Sequence, residues 1–184
     1  MRDYFEPTIK RYLRRWRPTQ RPSTIKTKHC ILRRFVAYLR EHHPEVRRFS
    51  QLQRDPHIEG WLESMLHLHP VTRNAAIRTI RLFCEDLNAW KWPNPPPLQL
   101  LSNEDLAPEP LVLPRPLPLE LDQAAQKAFR EAGTFPALAF LLLRNTGMRI
   151  GEMRALPLNA MEATGPDTFS LRVPPIKTYT ERLV

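Results

Sequence analysis

The chain has 184 residues, with 28 Lys and Arg against 19 Asp and Glu, so its formal net charge is +9, and this length suits one domain or two small ones. Two cysteines, Cys30 and Cys84, are too few for a disulfide framework, and no apolar stretch reaches the roughly 20 residues that cross a bilayer. These totals disfavour a disulfide-rich secreted domain and a membrane-spanning protein, and they predict a cytoplasmic protein.

The positive charge is concentrated at the N-terminal end. Residues 1–48 hold 14 Lys and Arg but only 4 Asp and Glu, whereas the rest of the chain holds 14 and 15. Such asymmetry is typical of proteins that bind a polyanion, because Lys and Arg that neutralise phosphates release condensed counterions. A basic face that only aids solubility is the alternative, and an anionic membrane surface is a weaker one. We therefore predict nucleic acid as the partner.

Four segments of the first half carry apolar residues at helical spacing. The predicted helices cover about residues 3–16, 23–42, 56–68 and 71–90, with Ser23 or Thr24 capping the second. The third is predicted to bury Ile58, Trp61, Leu62, Met65 and Leu66, and the fourth to carry Ile77, Ile80, Leu82, Phe83 and Leu87 on its apolar side. The segment 1–92 is thus predicted to be a four-helix domain.

A proline-rich segment follows. Residues 93–118 contain nine prolines, which remove backbone donors and predict a semi-rigid, extended linker. Beyond it, helices are predicted at about 119–132 and 136–144. The alternating "FSLRV" at 169–173 predicts a half-buried strand with Phe169, Leu171 and Val173 on one face, and "PPIKTYTERLV" predicts a turn and the start of a returning strand.

The segment "NTGMRIGEMRAL", residues 145–156, joins an apolar helix to a new one. Gly147 is predicted to end the first helix in the left-handed conformation, which leaves Arg149 projecting from the turn. An arginine held there offers a planar fork of donors to two phosphate oxygens. Glu152 is close enough to hold the guanidinium or to cap free backbone N–H groups. The alternative is a plain helical corner, with Arg149 as a surface residue.

These segments resemble the tyrosine recombinases, or phage-type integrases. "TGMRIGEMRAL" is similar to the family's box around its first catalytic arginine, and "IKTYTERLV" to its β-hairpin lysine box. "STIKTKHCILRRFVAYL" and "VTRNAAIRTIRLFCEDL" resemble the second and fourth helices of its core-binding domain, and "WPNPP" stands where its linker begins. The resemblance implies a SAM-like four-helix core-binding domain over 1–92, a linker over 93–118, and the N-terminal portion of an α+β catalytic domain over 119–184.

The resemblance also implies roles for individual residues. Arg149 would clamp the scissile phosphate, Lys177 would protonate the leaving 5′ oxygen, and Glu152 would orient the site. For Lys177, a turn lysine on an edge hairpin is the alternative. Double-stranded DNA is the implied partner, with other recombinase protomers as a second one, and phosphate or base contacts are predicted for Lys26, Lys28, Arg33, Arg34, Arg73, Asn74, Arg78 and Arg81.

The chain departs from the family pattern after Lys177. Neither the His-x-x-Arg pair nor a tyrosine nucleophile can be assigned, because all six histidines lie at or before His69 and Tyr179 falls in the wrong element. The histidines are not spaced with Cys30 or Cys84 as a zinc site requires, and five glycines form no phosphate-binding loop. We therefore predict no metal, no cofactor and no small-molecule substrate.

Two functions from different classes remain open. The first is a site-specific recombinase, present as a truncated copy without its own strand cleavage and associated with the nucleoid. The second is a non-catalytic DNA-binding protein that regulates or competes with a full-length recombinase. The fold predicted for both is mainly α, with the start of a small antiparallel sheet.

Overall fold

A computed structural model describes residues 4–111, 113, 115–166, 168–175 and 182–184. The chain is mainly helical with a small antiparallel sheet, which confirms the predicted fold class at this level. It divides into two compact units, residues 1–112 and 113–184. Among the described residues, none of the helices combines the length and the apolar composition needed to cross a bilayer.

The first unit contains four α-helices, all at or near the predicted positions. They are α1 (Phe5–Trp16), α2 (Pro22–His42), α3 (Glu59–Ser64) and α4 (Pro70–Ala89). The prediction that Ser23 or Thr24 caps α2 is wrong. The helix begins earlier, at Pro22, because a proline at the first position needs no N–H partner, and Arg21 precedes it without a side-chain cap bond.

Aromatic side chains from different parts of the first unit meet in its core. Phe49 packs edge-on against Phe5 at 4.9 Å and against Phe83 at 4.8 Å between ring centroids, and Phe83 also meets Tyr12 at 4.8 Å. The Tyr12 hydroxyl donates to Asp86 Oδ2 at 2.8 Å. Burial, aided by this carboxylate, raises the pKa of Tyr12. The core therefore joins α1 and α4 through both apolar and polar contacts.

The third helix is shorter than predicted. Asp55 is extended before Pro56, and Arg54–Ile58 forms a wider turn that precedes α3. At the other end, Leu66 is 67% exposed, so its predicted burial is wrong. Residues 65–68 form turns instead of continuing the helix, because Pro70 favours an extended His69.

Leu82 on α4 is 38% exposed, contrary to its predicted place on the apolar side of the helix. The buried stripe of α4 runs through Ile77, Ile80, Phe83 and Leu87. Position 82 lies two residues from Ile80 and therefore faces away from this stripe.

The end of α4 is closed by a Schellman motif. Lys91 adopts a left-handed conformation with φ 51°, and the Trp92 N–H donates to the Leu87 carbonyl at 3.0 Å while the Lys91 N–H donates to the Asn88 carbonyl at 2.9 Å. Glycine usually occupies this position because a Cβ is strained there. The reversal brings the rings of Trp90 and Trp92 to 5.9 Å between centroids.

The first half of the predicted linker packs against the first unit. Leu100 and Leu101 are buried in its core, and Arg54 donates to Asp105 Oδ1 at 2.6 Å and to Oδ2 at 2.9 Å. This arginine holds the pKa of Asp105 below its usual range. Proline-rich composition alone does not reveal that apolar and charged residues inside the segment have partners in the preceding helices.

The second unit contains α5 (Leu119–Ala132), α6 (Phe135–Thr146) and α7 (Ile150–Arg154), followed by β1 (Met161–Ala163), β2 (Phe169–Val173) and β3 (Arg182–Leu183). Both α5 and α6 end on left-handed glycines, Gly133 and Gly147, with φ 58° and 62°. Arg144 on α6 forms a forked ion pair with Asp122 on α5, with Nε 2.9 Å from Oδ1.

The sheet has the order β1-β2-β3, with both pairings antiparallel. Met161 pairs with Leu171 and Ala163 with Phe169. The strand at 169–173 was predicted, whereas β1 was not. Phe169 is 59% exposed although it shares a face with the buried Val173, so its predicted burial is wrong.

Candidate nucleic-acid interface

The exposed side of α2 carries cations without acidic partners. Lys26, Arg33 and Arg34 are exposed, and none of them forms an ion pair with a described residue. Lys28 differs from them, because it is half-buried with Nζ 4.3 Å from the ring centroid of Trp16. Burial lowers the pKa of Lys28. Three of the four predicted α2 contacts therefore remain available for a polyanion.

On α4, Arg78 and Arg81 already have acidic or polar partners within the first unit. Arg78 lies 3.0 Å from Glu109 Oε1, and Arg81 lies 3.6 Å from Glu85 Oε1 and donates to Asn103 Oδ1 at 2.5 Å. Arg73 is half-buried, and its Nε is buried without a hydrogen-bond partner among the described residues. A phosphate would have to compete with these acids for Arg78 and Arg81.

Asn74 lies in the interior of the first unit. It is 1% exposed, its amide nitrogen donates to the Ala107 carbonyl at 2.8 Å and to Glu109 Oε1 at 3.0 Å, and its amide oxygen accepts from the Ala107 N–H at 2.9 Å. The bond from Asn74, aided by Arg78, holds the pKa of Glu109 below its usual range. A contact to a base edge would require Ala107 and Glu109 to release this amide.

Arg149 lies in the turn after α6 and is held there by the buried carboxylate of Glu152. Glu152 is 3% exposed, accepts from the Arg149 N–H at 2.9 Å with Oε2, and accepts from Arg149 Nη1 at 2.9 Å with Oε1. The Arg149 side chain is 54% exposed. Both contacts expected of Glu152, holding the guanidinium and capping a backbone N–H, are present together. Glu152 therefore fixes the guanidinium while leaving donors open to solvent.

The third residue of the predicted catalytic set, Lys177, falls in the sequence between β2 and β3. Lys177 and Tyr179 lie outside the described residues. The strands on either side of that segment are paired, with Arg172 opposite Leu183. β2 and β3 are therefore antiparallel neighbours in the sheet.

Sequence spacing missed a cluster of His43, Glu45 and His57 in the first unit, whose potential ligand atoms lie within 4.8 Å of one another. His57 Nδ1 accepts from the Gln53 N–H at 2.9 Å, so the proton of the neutral ring is on Nε2. That nitrogen lies 3.7 Å from Glu45 Oε1. A protonated Nε2 cannot bind a cation. The cluster therefore forms polar contacts inside the first unit and is poorly arranged for a metal.

Comparisons of the chain with protein-family models, with curated proteins and with solved structures found no match.

Proposed function

We propose that this chain binds double-stranded DNA as a protein of the tyrosine-recombinase type. The observation that carries the proposal is the α2 surface with Lys26, Arg33 and Arg34 exposed and without acidic partners among the described residues. Unpaired cations on one helix match the charge of a duplex backbone without first breaking ion pairs. The proposed architecture is a core-binding domain followed by a linker and the N-terminal part of an integrase-type catalytic domain.

The Arg149 turn supports the recombinase assignment. A guanidinium braced by a buried carboxylate loses little side-chain freedom when it binds a phosphate, and its remaining donors can meet two phosphate oxygens. In the proposed site Arg149 stabilises negative charge on the phosphate, Glu152 positions it, and Lys177 supplies the proton to the leaving oxygen.

The α2 surface is tested by a charge-matched pair of triple variants. Replacing Lys26, Arg33 and Arg34 by Gln should weaken duplex binding at least tenfold, measured by fluorescence anisotropy at fixed salt. The control replaces Lys127, Arg130 and Arg154 of the second unit by Gln, which removes the same charge, and it should have a smaller effect. Equal losses in the two variants would mean that binding follows net charge, and would contradict the proposed surface.

Arg149 is tested separately, because it lies in the other unit. The R149Q variant should weaken binding of a duplex more than R154Q, which removes an exposed arginine from the far end of α7. R149K should recover only part of the loss, since an ammonium lacks the planar fork. Full recovery by lysine would contradict a forked phosphate contact.

A non-catalytic DNA-binding regulator or competitor is the second candidate function. It is favoured by the α2 surface itself, since Lys26, Arg33 and Arg34 can bind a duplex without any catalytic residue. A nicked duplex that traps covalent intermediates distinguishes the two functions. The regulator binds this duplex without becoming attached, whereas covalent attachment of the chain would identify an active recombinase.

A further inference from the structure

Aromatic rings and cations alternate along one strip of the first unit. Lys28 Nζ lies 4.3 Å from the ring centroid of Trp16, and the guanidinium carbon of Arg15 lies 4.3 Å from that of Trp90. The Trp16 and Trp90 rings are 6.0 Å apart, and Trp90 and Trp92 are 5.9 Å apart. The strip thus runs without interruption from α2 to the turn after α4.

The strip continues into a cavity of about 330 Å³. Arg11 lies 4.4 Å from the Trp92 ring, Arg48 lies 4.6 Å from the Tyr4 ring, and all four residues line the cavity. Cation–ring pairs of this kind occur roughly once per 70–80 residues in folded proteins. Four such pairs lie along this strip and its cavity, more than that frequency gives for the 112 residues of the first unit.

The lining of the cavity indicates the chemistry of its ligand. Among the described residues, those that line it include no acid, and both Arg11 and Arg48 are exposed. Tyr4 is 42% exposed as a residue, so part of it is open to a ligand. A ligand that combines a flat aromatic ring with negative charge is complementary to these walls, which is the description of a nucleotide.

Base pairing determines whether duplex or single-stranded nucleic acid can bind the strip. A base in a duplex presents only its edges in the grooves, so its flat faces are inaccessible to protein rings. An unpaired base can stack on an aromatic ring or on a guanidinium plane while its phosphate meets a cation. Trp16, Trp90 and Trp92 are half-buried against the core, and their centroids follow one another at 6.0 and 5.9 Å, so bases would meet the exposed parts of these rings and the cations over them.

We propose that this strip binds single-stranded DNA, with one unpaired base entering the cavity between Tyr4 and Trp92. Arg11 and Arg48 neutralise the phosphates that flank this base, and the tryptophans stack the bases that follow towards Lys28. The proposal does not depend on duplex binding by α2, because the strip uses none of Lys26, Arg33 and Arg34.

The test compares two oligomers of equal charge. A labelled oligothymidylate of about 10 nucleotides, a typical site size for single-strand binding, is titrated beside an abasic oligomer of the same length. The full chain should bind the oligothymidylate about tenfold more tightly, as stacking of one or two bases predicts. Its tryptophan fluorescence should be quenched by that oligomer alone. Equal affinities, or equal quenching, would overturn the proposal.

Variants locate the site. Y4A and R11Q should each reduce the preference for oligothymidylate over the abasic oligomer at least threefold, whereas R14Q removes the same charge from α1 outside the strip and should leave it unchanged. Unfolding in urea should confirm that all three variants fold. Loss of the preference in R14Q, or its persistence in both Y4A and R11Q, would contradict the assignment.

Failure of this proposal is distinguishable from failure of duplex binding. The triple α2 variant at Lys26, Arg33 and Arg34 should lose duplex affinity but keep its preference for oligothymidylate over the abasic oligomer. Y4A should behave in the opposite way. If the α2 variant and Y4A lost both forms of binding in parallel, one shared surface would bind both, and the separate strip would be refuted.

Discussion

The two units differ in what holds them together. The first buries large aromatic and aliphatic side chains from α1, α2, α4 and the segments between them, whereas the described second unit buries Ala137, Leu141, Met148, Ala160 and Val173 and leaves Phe135 81% exposed. The second unit instead shows two local devices, the left-handed Gly147 and the Glu152 cap, and one ion pair between helices, Arg144–Asp122. Packing positions the proposed DNA surface of the first unit, whereas local backbone rules position Arg149.

The largest predicted effect tests this contrast in core packing. F83A should destabilise the first unit by about 3–5 kcal/mol, because it removes a fully buried ring that contacts two others. In the second unit, F140A should cost clearly less, since Phe140 is 38% exposed. Urea unfolding followed by tryptophan fluorescence and by circular dichroism separates the units, because all four tryptophans lie in the first. Similar losses in both variants would contradict the contrast.

The next effect concerns the ion pair that attaches residues 100–105 to the first unit. D105N should cost about 1–2 kcal/mol near neutral pH, a modest amount because Arg54 is half exposed. The pKa of Asp105 is lowered in the folded protein, so its contribution is present above the unfolded pKa, near 3.9, and is lost as pH falls through the lower folded value. The stability difference between wild type and D105N should therefore shrink below about pH 4. A difference that persists unchanged at pH 2 would contradict this assignment.

A comparable effect is expected for the Glu152 cap, but only in the second unit. E152A should destabilise that unit by about 1–2 kcal/mol, because it leaves the Arg149 N–H without its cap bond. E152Q is the matched control and should retain more stability, since its amide oxygen can still accept from that N–H. Circular dichroism should detect the loss while the tryptophan transition stays in place. A shift of the tryptophan transition would show that the two units are coupled.

The smallest effect has the opposite sign. K91G should stabilise the first unit by about 0.5–1 kcal/mol, because glycine adopts the left-handed conformation of this position without strain. K10G makes the same replacement inside α1 and should destabilise by about 1 kcal/mol. Tryptophan-monitored urea unfolding measures both changes. Destabilisation by K91G would show that the Lys91 side chain stabilises the fold by more than the left-handed backbone strain costs.

The sequence predicted the features that depend on local rules. The helix at 119–132, the left-handed Gly147, the strand at 169–173 and both contacts of Glu152 follow from periodicity, turn chemistry and capping, and the structure confirms them. Features that depend on distant partners were missed. Asn74 is polar and sits among basic residues of α4, yet its burial depends on Ala107 and Glu109, which lie in the predicted linker.

The aromatic–cationic strip was missed for the same reason. Its rings belong to α1 and to the turn after α4, and only the left-handed Lys91 brings Trp90 and Trp92 together. The short "WKW" sequence gives no sign of that reversal, because lysine rarely adopts it. The β1 strand was also missed, since its partner β2 lies across a turn and its residues show no clear alternation.

The measurement that tests the central claim most directly is the salt dependence of duplex DNA binding. The first unit holds 19 Lys and Arg against 12 Asp and Glu, and its free cations on α2 should release counterions on binding. The affinity of the wild type should fall steeply as salt rises. Replacing Lys26, Arg33 and Arg34 together by Gln should reduce the slope of log affinity against log salt by about 2.7, at roughly 0.9 per phosphate contact. A flat response in the wild type, or an unchanged slope in the triple variant, would contradict the account.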